Sequence, residues 1–148
     1  MLISDEPNTR LVVLMFTDLA GSVDLKTRLG AATYAKILST HDQHFKDIMA
    51  SIPGAVTIKD TGDGFLAKFE TTSDAVRAAL RFQHVLHHEK WDPEPARVRI
   101  GLHIGQVSEL DKEVATGLPK IVGLAADIAA RIMDLAVRGQ LLMWRTPF

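Results

Sequence analysis

The order of hydrophobic patterns along the chain restricts its fold more than any other feature. A continuous apolar run at residues 11–16 is typical of a buried strand. A helical pattern follows over residues 24–52, broken at Gly30 and ended by Pro53-Gly54. Residues 55–70 then alternate on both sides of a glycine-rich turn, which predicts a β-hairpin.

The second half of the chain completes a recognisable topology. We predict a helix capped by Thr72 or Ser73 that runs to about His88, a strand over 98–104, a loop over 106–122, a helix over 124–136 and a strand from 141. The order β-αα-β-β-α-β-α-β contains a ferredoxin-like βαββαβ core with an extra helix and strand, an α+β fold. Residues 1–10 are expected to form a disordered lead-in or linker, and residues 11–148 one domain.

Composition excludes several classes of protein. The 148 residues carry 17 Lys and Arg against 18 Asp and Glu, so bulk charge gives no attraction to nucleic acid. No apolar stretch approaches the roughly 18 residues of a membrane span, and the acidic N-terminus does not resemble a signal peptide. There is no cysteine, which excludes disulfides and thiolate metal sites. We therefore expect a cytoplasmic protein without a membrane segment or a nucleic-acid partner.

Two aspartates are predicted to meet at one edge of the sheet. In a ferredoxin-like layout the third strand runs antiparallel beside the first, so the end of one lies at the start of the other. Asp18 follows the first strand and Asp63 precedes the third. Considered singly, Asp18 is explained as a helix cap and Asp63 as a turn residue. Considered together, they predict two facing carboxylates beside glycine-rich turns.

Four sequence blocks in this order resemble the catalytic domain of class III nucleotidyl cyclases, the adenylyl and guanylyl cyclases. The blocks are residues 16–22 (FTDLAGS), 59–65 (KDTGDGF), 99–105 (RIGLHIG) and 129–132 (AARI). The resemblance spans about residues 11–143 and implies conversion of ATP to 3′,5′-cyclic AMP and pyrophosphate in intracellular signalling. The family usually continues for another strand pair, which implies a C-terminally incomplete domain and regulatory domains in the full-length protein.

The resemblance implies a role for each part of the site. Asp18 and Asp63 would hold Mg²⁺ or Mn²⁺, two ions per site, because hard cations prefer carboxylate oxygens. The triphosphate loop would comprise Leu19, Ala20, Gly21 and Ser22, where small residues and a helix N-terminus favour anions. From Gly21 alone, a plain strand–helix turn is the simpler interpretation.

Further roles implied by the resemblance fall on two basic residues. Lys59 matches the lysine that contacts adenine; an exposed strand-end lysine is the alternative. Arg131 matches the arginine that stabilises the transition state; a surface arginine paired to Asp127 or Asp134 is the alternative. In this family each active site lies across a homodimer interface, one chain giving the aspartates and the other the base-reading residues and the arginine.

Two residues depart from the family pattern. Asp127 stands where the family has an asparagine oriented toward the ribose, and a carboxylate there repels triphosphate and can pair with Arg131 at i+4. Lys120 stands where adenylyl cyclases commonly carry a hydrogen-bond acceptor for the adenine amino group. Both positions belong to the predicted site, Asp127 among the catalytic residues and Lys120 among the substrate-binding ones.

These departures leave alternatives open. One is a cyclase for GTP or a pyrimidine nucleotide, and another is a degenerate, non-catalytic module that dimerises or senses nucleotides. A ferredoxin-like RNA-binding module is disfavoured, because the strands lack base-stacking aromatic motifs and there is no basic face. The helical histidines are expected to be surface residues without a metal, and His103 to be structural.

Overall fold

The computed structural model describes residues 9–112, 119–122, 124–136 and 140–145; for residues 9–10, 106–112, 119–122, 124–129 and 144–145 it gives the backbone without the side chains. None of the described helices has the length and apolar character needed to cross a membrane. The elements are β1 Thr9–Leu19, α1 Ser22–Leu29, α2 Ala31–Ala50, β2 Val56–Asp60, β3 Gly64–Phe69, α3 Thr72–His88, β4 Val98–Lys112, β5 Pro119–Val122, α4 Leu124–Leu135 and β6 Leu141–Arg145. All the predicted helices and strands are present in the predicted order, and the structure adds one strand, β5.

The strands form a single sheet with β1 at its centre. The order is β2-β3-β1-β4-β5, and β6 pairs in parallel with β4. β1 is antiparallel to both of its neighbours, which confirms the ferredoxin-like arrangement. In the register, Asp18 lies opposite Gly64 of β3 on one side and opposite Arg99 of β4 on the other. The end of β1 and the start of β3 therefore meet, as predicted.

Three predicted boundaries were wrong. A loop was expected over residues 106–122, but β4 continues to Lys112 and β5 follows at Pro119–Val122. Backbone pairing, for example of Ser108 with Val122, stabilises these strands, and the side-chain pattern does not reveal it. β1 begins at Thr9, inside the expected lead-in, and residues 1–8 lie outside the described part. The N-cap of α3 is Thr71, whose hydroxyl accepts a hydrogen bond of 3.1 Å from the Asp74 N–H.

The core has two layers, one on each face of the sheet. Successive side chains of a strand point to opposite faces, so Val13 and Met15 join the larger cluster beneath α1, α2 and α3, whereas Val12 and Leu14 join a smaller one with Leu66. α4 contacts β1, β4 and β6. By the same alternation, the side chain of Asp18 lies on the face of Val12 and Leu14.

The expectation that the helical histidines are surface residues is wrong for His41, because the apolar packing of α2 against β3 and α3 encloses it. His41 on α2 is fully buried, and its ring lies 6.0 Å from Phe65 and 5.4 Å from Phe82 between centroids. Its Nδ1 lies 2.8 Å from an oxygen of Asp42, whereas its Nε2 has no hydrogen bond within the described residues. Burial lowers the pKa of His41 from its ordinary 6.5, and Asp42 opposes that shift.

We expect His41 to make folding stability depend on pH. Because its folded-state pKa is lowered, the unfolded chain binds more protons, and stability falls as pH drops below 6.5, by up to about 1.4 kcal/mol per pH unit. His41→Phe keeps an aromatic ring but cannot be protonated. Urea unfolding between pH 5 and 7.5 should therefore show a flatter profile for this variant than for wild type. Parallel profiles would contradict the assignment.

Candidate active site

Asp18 is bound by an arginine from the neighbouring strand. The Nε of Arg99 donates to Oδ1 of Asp18 at 2.9 Å, and Nη2 donates to Oδ2, a two-point ion pair between β1 and β4. Both side chains are largely shielded from solvent, with 18% of Asp18 and 27% of Arg99 exposed. The hydrogen bonds to Asp18 raise the pKa of Arg99 further, so the guanidinium stays charged. The two charges neutralise each other in the described structure.

Asp63 is bound by the loop that follows β1. Its main-chain carbonyl accepts from the Leu19 N–H at 2.8 Å, and its Oδ2 accepts from the Ser22 hydroxyl at 2.7 Å. The β2–β3 turn that carries Asp63 is itself ordered by Asp60, whose Oδ1 accepts from the Gly62 N–H at 2.8 Å. The two predicted carboxylates therefore lie on adjoining segments with separate hydrogen-bond partners.

Glycine at position 64 lets these segments approach. A Cβ on Gly64 would lie 1.8 Å from the carbonyl oxygen of Thr17 and 2.8 Å from the Cα of Asp18. Thr17 is itself fully buried, and its hydroxyl accepts from the Phe65 N–H at 3.1 Å. The main chains of β1 and β3 are in contact here, and this contact holds Asp63 beside the end of β1.

The loop at residues 19–22 forms a tight connection between β1 and α1. Gly21 adopts a left-handed conformation (φ 65°, ψ 33°) and caps α1. The Leu19 N–H is used by Asp63 and the Ala20 N–H by the carbonyl of Arg97 at 2.8 Å, so both maintain the shape of the loop. Among the described hydrogen bonds, none occupies the main-chain N–H of Gly21 or Ser22, and these groups begin the helix.

The predicted base-reading and transition-state residues lie on β2 and α4. Lys59 is exposed on β2 beside an irregularity in the β2–β3 pairing. Arg131 is exposed on α4, and within the described part of the chain no ion pair joins it to Asp18 or Asp63. Lys120 lies on β5 and Asp127 on α4, but their side chains are outside the described residues. The described contacts thus join Asp63 to the loop and Asp18 to Arg99, and none of these contacts involves Lys59 or Arg131.

Arg99 is the residue that the sequence interpretation missed. A signal was present: in alternating β4, Val98 and Ile100 are core residues, so Arg99 points to the other face, that of Asp18. A second acidic residue also affects it, since Asp134 of α4 is near enough to contribute to the raised pKa of Arg99. α4 therefore lies close to the Asp18–Arg99 pair of its own chain.

The donor set suits a hard divalent cation in part. Carboxylates from Asp18 and Asp63 match the oxygen chemistry that Mg²⁺ and Mn²⁺ prefer, and these ions usually take remaining ligands from water and substrate phosphates. Within the described residues, no group of three or more His, Asp or Glu side chains is arranged to hold a metal. Arg99 currently engages both oxygens of Asp18. The oxygen chemistry of the two carboxylates therefore suits such a cation, but their described hydrogen bonds do not form a metal site.

Comparison with known proteins assigns the family. Residues 5–143 match the adenylate and guanylate cyclase catalytic domain. An uncharacterized protein of Mycobacterium tuberculosis is 30% identical over 142 residues, which are 95% of this chain and 45% of that protein. The chain belongs to the adenylate and guanylate cyclase catalytic domain family. It spans less than half the length of this relative.

Solved structures confirm the cyclase fold. A monomeric adenylate cyclase domain of Trypanosoma brucei superposes with a TM-score of 0.83 at 22% identity, covering 94% of this chain and 74% of that one. The guanylate cyclase domain of RhGC from Catenaria anguillulae, in complex with GTP, gives a TM-score of 0.78 at 19% identity, covering 91% of this chain and 79% of that one. One of these structures is named as an adenylate cyclase and the other as a guanylate cyclase. The shared fold therefore does not determine whether the substrate base is adenine or guanine.

Proposed function

We propose that this chain is a nucleotide cyclase domain that converts ATP to 3′,5′-cyclic AMP and pyrophosphate. The observation that carries the proposal is the placement of Asp18 and Asp63 on adjoining segments beside the open N-terminus of α1. Asp18 and Asp63 would hold the divalent cations, which when bound supply activation of the 3′-hydroxyl and neutralise triphosphate charge. The family resemblance of the whole chain supports this assignment.

Arg99 gives the site a way to respond to its substrate. Its guanidinium is paired with Asp18. The phosphate groups of an incoming triphosphate are anions of suitable geometry to accept hydrogen bonds from the same guanidinium N–H groups. Transfer of Arg99 from Asp18 to a phosphate group would free both oxygens of Asp18 as the phosphates arrive. The N–H groups of Gly21 and Ser22 would hold the phosphates from the other side.

The remaining roles require a second copy of the chain. Lys59 and Arg131 are exposed, and neither has a described hydrogen bond or ion pair with Asp18 or Asp63 of the same chain. This is compatible with a homodimer whose sites each combine two chains. Lys59 would donate to a ring nitrogen of adenine, and Arg131 would stabilise charge on the transferring phosphoryl group. Catalysis would consist mainly of positioning and charge stabilisation for in-line attack of the 3′-oxygen on the α-phosphorus.

A degenerate module is the second candidate, and Asp127 is the residue that favours it. A carboxylate at this position on α4, one turn before Arg131, opposes the approach of a triphosphate. In that case the chain would bind nucleotide or dimerise without forming product. Lys120 favours a different variant, a cyclase for a base that presents an acceptor, such as guanine.

Product analysis separates these candidates. We expect incubation with each of four nucleoside triphosphates and Mn²⁺ to give a 3′,5′-cyclic product and pyrophosphate by mass spectrometry, with ATP the best substrate. Lys59→Met should weaken the preference for ATP, whereas Lys46→Met, an exposed lysine of α2, should leave it unchanged. A preference for GTP or a pyrimidine nucleotide would support the alternative cyclase. Nucleotide binding without any product would support the degenerate module.

A further inference from the structure

A hydroxyl group links the phosphate-binding loop to one of the two carboxylates. Ser22, the first residue of α1, donates from Oγ to Oδ2 of Asp63 at 2.7 Å, across 41 residues of sequence. Short hydroxyl-to-carboxylate bonds of this kind are charge-assisted and are stronger than neutral ones. The Leu19 N–H binds the carbonyl of the same Asp63, so the loop fixes both its main chain and its side chain.

Tyr34 of α2 is a third residue near Ser22 and Asp63. Its side chain is half-buried, and it lies close enough to Ser22 and Asp63 for both to influence its pKa. Burial and the nearby charge of Asp63 raise the pKa of Tyr34, and the interaction with Ser22 opposes that shift only in part. The phenol therefore remains protonated at neutral pH. α1, α2 and the β2–β3 turn thus converge on one carboxylate.

We infer that Ser22 is a positioning residue for Asp63: its hydroxyl holds Oδ2 and thereby presents Oδ1 to a divalent cation. This inference rests on the proposed function, because it takes Asp63 to be a cation ligand. Hydrogen bonds to a ligating carboxylate fix its orientation, and losing such a partner typically costs 10- to 100-fold in metal affinity or activity. The role differs from contact between Ser22 and the phosphates, which would act on nucleotide affinity instead.

Manganese binding to the complex with 3′-deoxy-ATP, which supplies the phosphates but lacks the attacking hydroxyl, tests the inference. Free Mn²⁺ is measured by electron paramagnetic resonance during titration of wild type, Ser22→Ala, Ser22→Thr and Ser39→Ala, an exposed serine of α2. We expect Ser22→Ala to raise the Mn²⁺ Kd by about 10-fold. Ser22→Thr retains the hydroxyl and should restore affinity, and Ser39→Ala should match wild type. Tyr34→Phe should give a smaller loss than Ser22→Ala.

A kinetic measurement distinguishes the two roles of Ser22. If it positions Asp63, Ser22→Ala raises the Mn²⁺ concentration for half-maximal rate and leaves the KM for ATP at saturating Mn²⁺ nearly unchanged. Wild-type Mn²⁺ affinity in Ser22→Ala, or a threonine variant as weak as the alanine one, would overturn the inference while leaving the proposed function intact. If Asp63→Asn binds Mn²⁺ as well as wild type does, the cation assignment fails, and the inference fails with it.

Discussion

Asp63→Asn should reduce nucleotide cyclisation by at least about 100-fold while the fold survives. The amide is nearly the same shape as the carboxylate, and its oxygen can still accept the hydrogen bond from Ser22. The negative charge that a divalent cation requires is nevertheless lost. The measurement is the rate of cyclic nucleotide formation at saturating ATP and Mn²⁺, with unfolding by urea as a check on structure.

Asp60 provides a matched control in the same turn. It is exposed, and its side chain only orders the turn by accepting from the Gly62 N–H, which an asparagine oxygen can also do. Asp60→Asn removes one negative charge three residues from Asp63 and should keep most of the wild-type rate. Equal losses in the two variants would show that general charge, rather than cation binding by Asp63, controls the rate.

Gly64→Ala should cost at least about 3 kcal/mol of folding free energy, near the upper end for an added methyl group. The new Cβ would lie 1.8 Å from the carbonyl oxygen of Thr17, an atom of the backbone of a central strand that no rotamer change can displace. β1 and β3 would have to separate at the position where they bring Asp18 and Asp63 together. The measurement is urea unfolding monitored by circular dichroism.

Gly62→Ala separates this steric effect from ordinary backbone strain. Gly62 has a positive φ of 98°, but no atom lies within 4 Å of a Cβ built on it. We expect a cost of only about 1–2 kcal/mol from the left-handed conformation. If Gly64→Ala were no more destabilising than Gly62→Ala, the close contact between β1 and β3 would not be the reason for glycine at position 64.

The sequence was sufficient to predict the topology and the meeting of the aspartates. The apolar run at residues 11–16 and the alternating hairpin at 55–70 have the periods of strands, and the ferredoxin-like order then sets Asp18 beside the start of β3. Burial of apolar side chains determines which segments become strands, and the order of apolar residues in the sequence shows it. The β4–β5 pairing was not predictable, because backbone hydrogen bonds between the two strands stabilise it and leave no pattern in the side chains.

Side-chain partners were harder to predict than positions. The sequence placed Ser22 in the loop but did not show that its hydroxyl binds Asp63, since this depends on how α1 leaves the sheet. The pairing of Arg99 with Asp18 could have been inferred from strand alternation once β1 and β4 were known to be neighbours. The roles of Lys59 and Arg131 stay predictions, because in the proposed site they act with the aspartates of a second chain.

Complementation between two inactive variants tests most directly the claim that each active site combines two chains. Asp63→Asn and Arg131→Ala chains are prepared separately and then mixed in equal amounts, and cyclic nucleotide formation is followed. In a mixed dimer one site has both substitutions and the other has neither. With random pairing, the mixture should recover about a quarter of the wild-type rate. A rate that stays at background, with mixed dimers demonstrated and wild type active, would contradict the shared site.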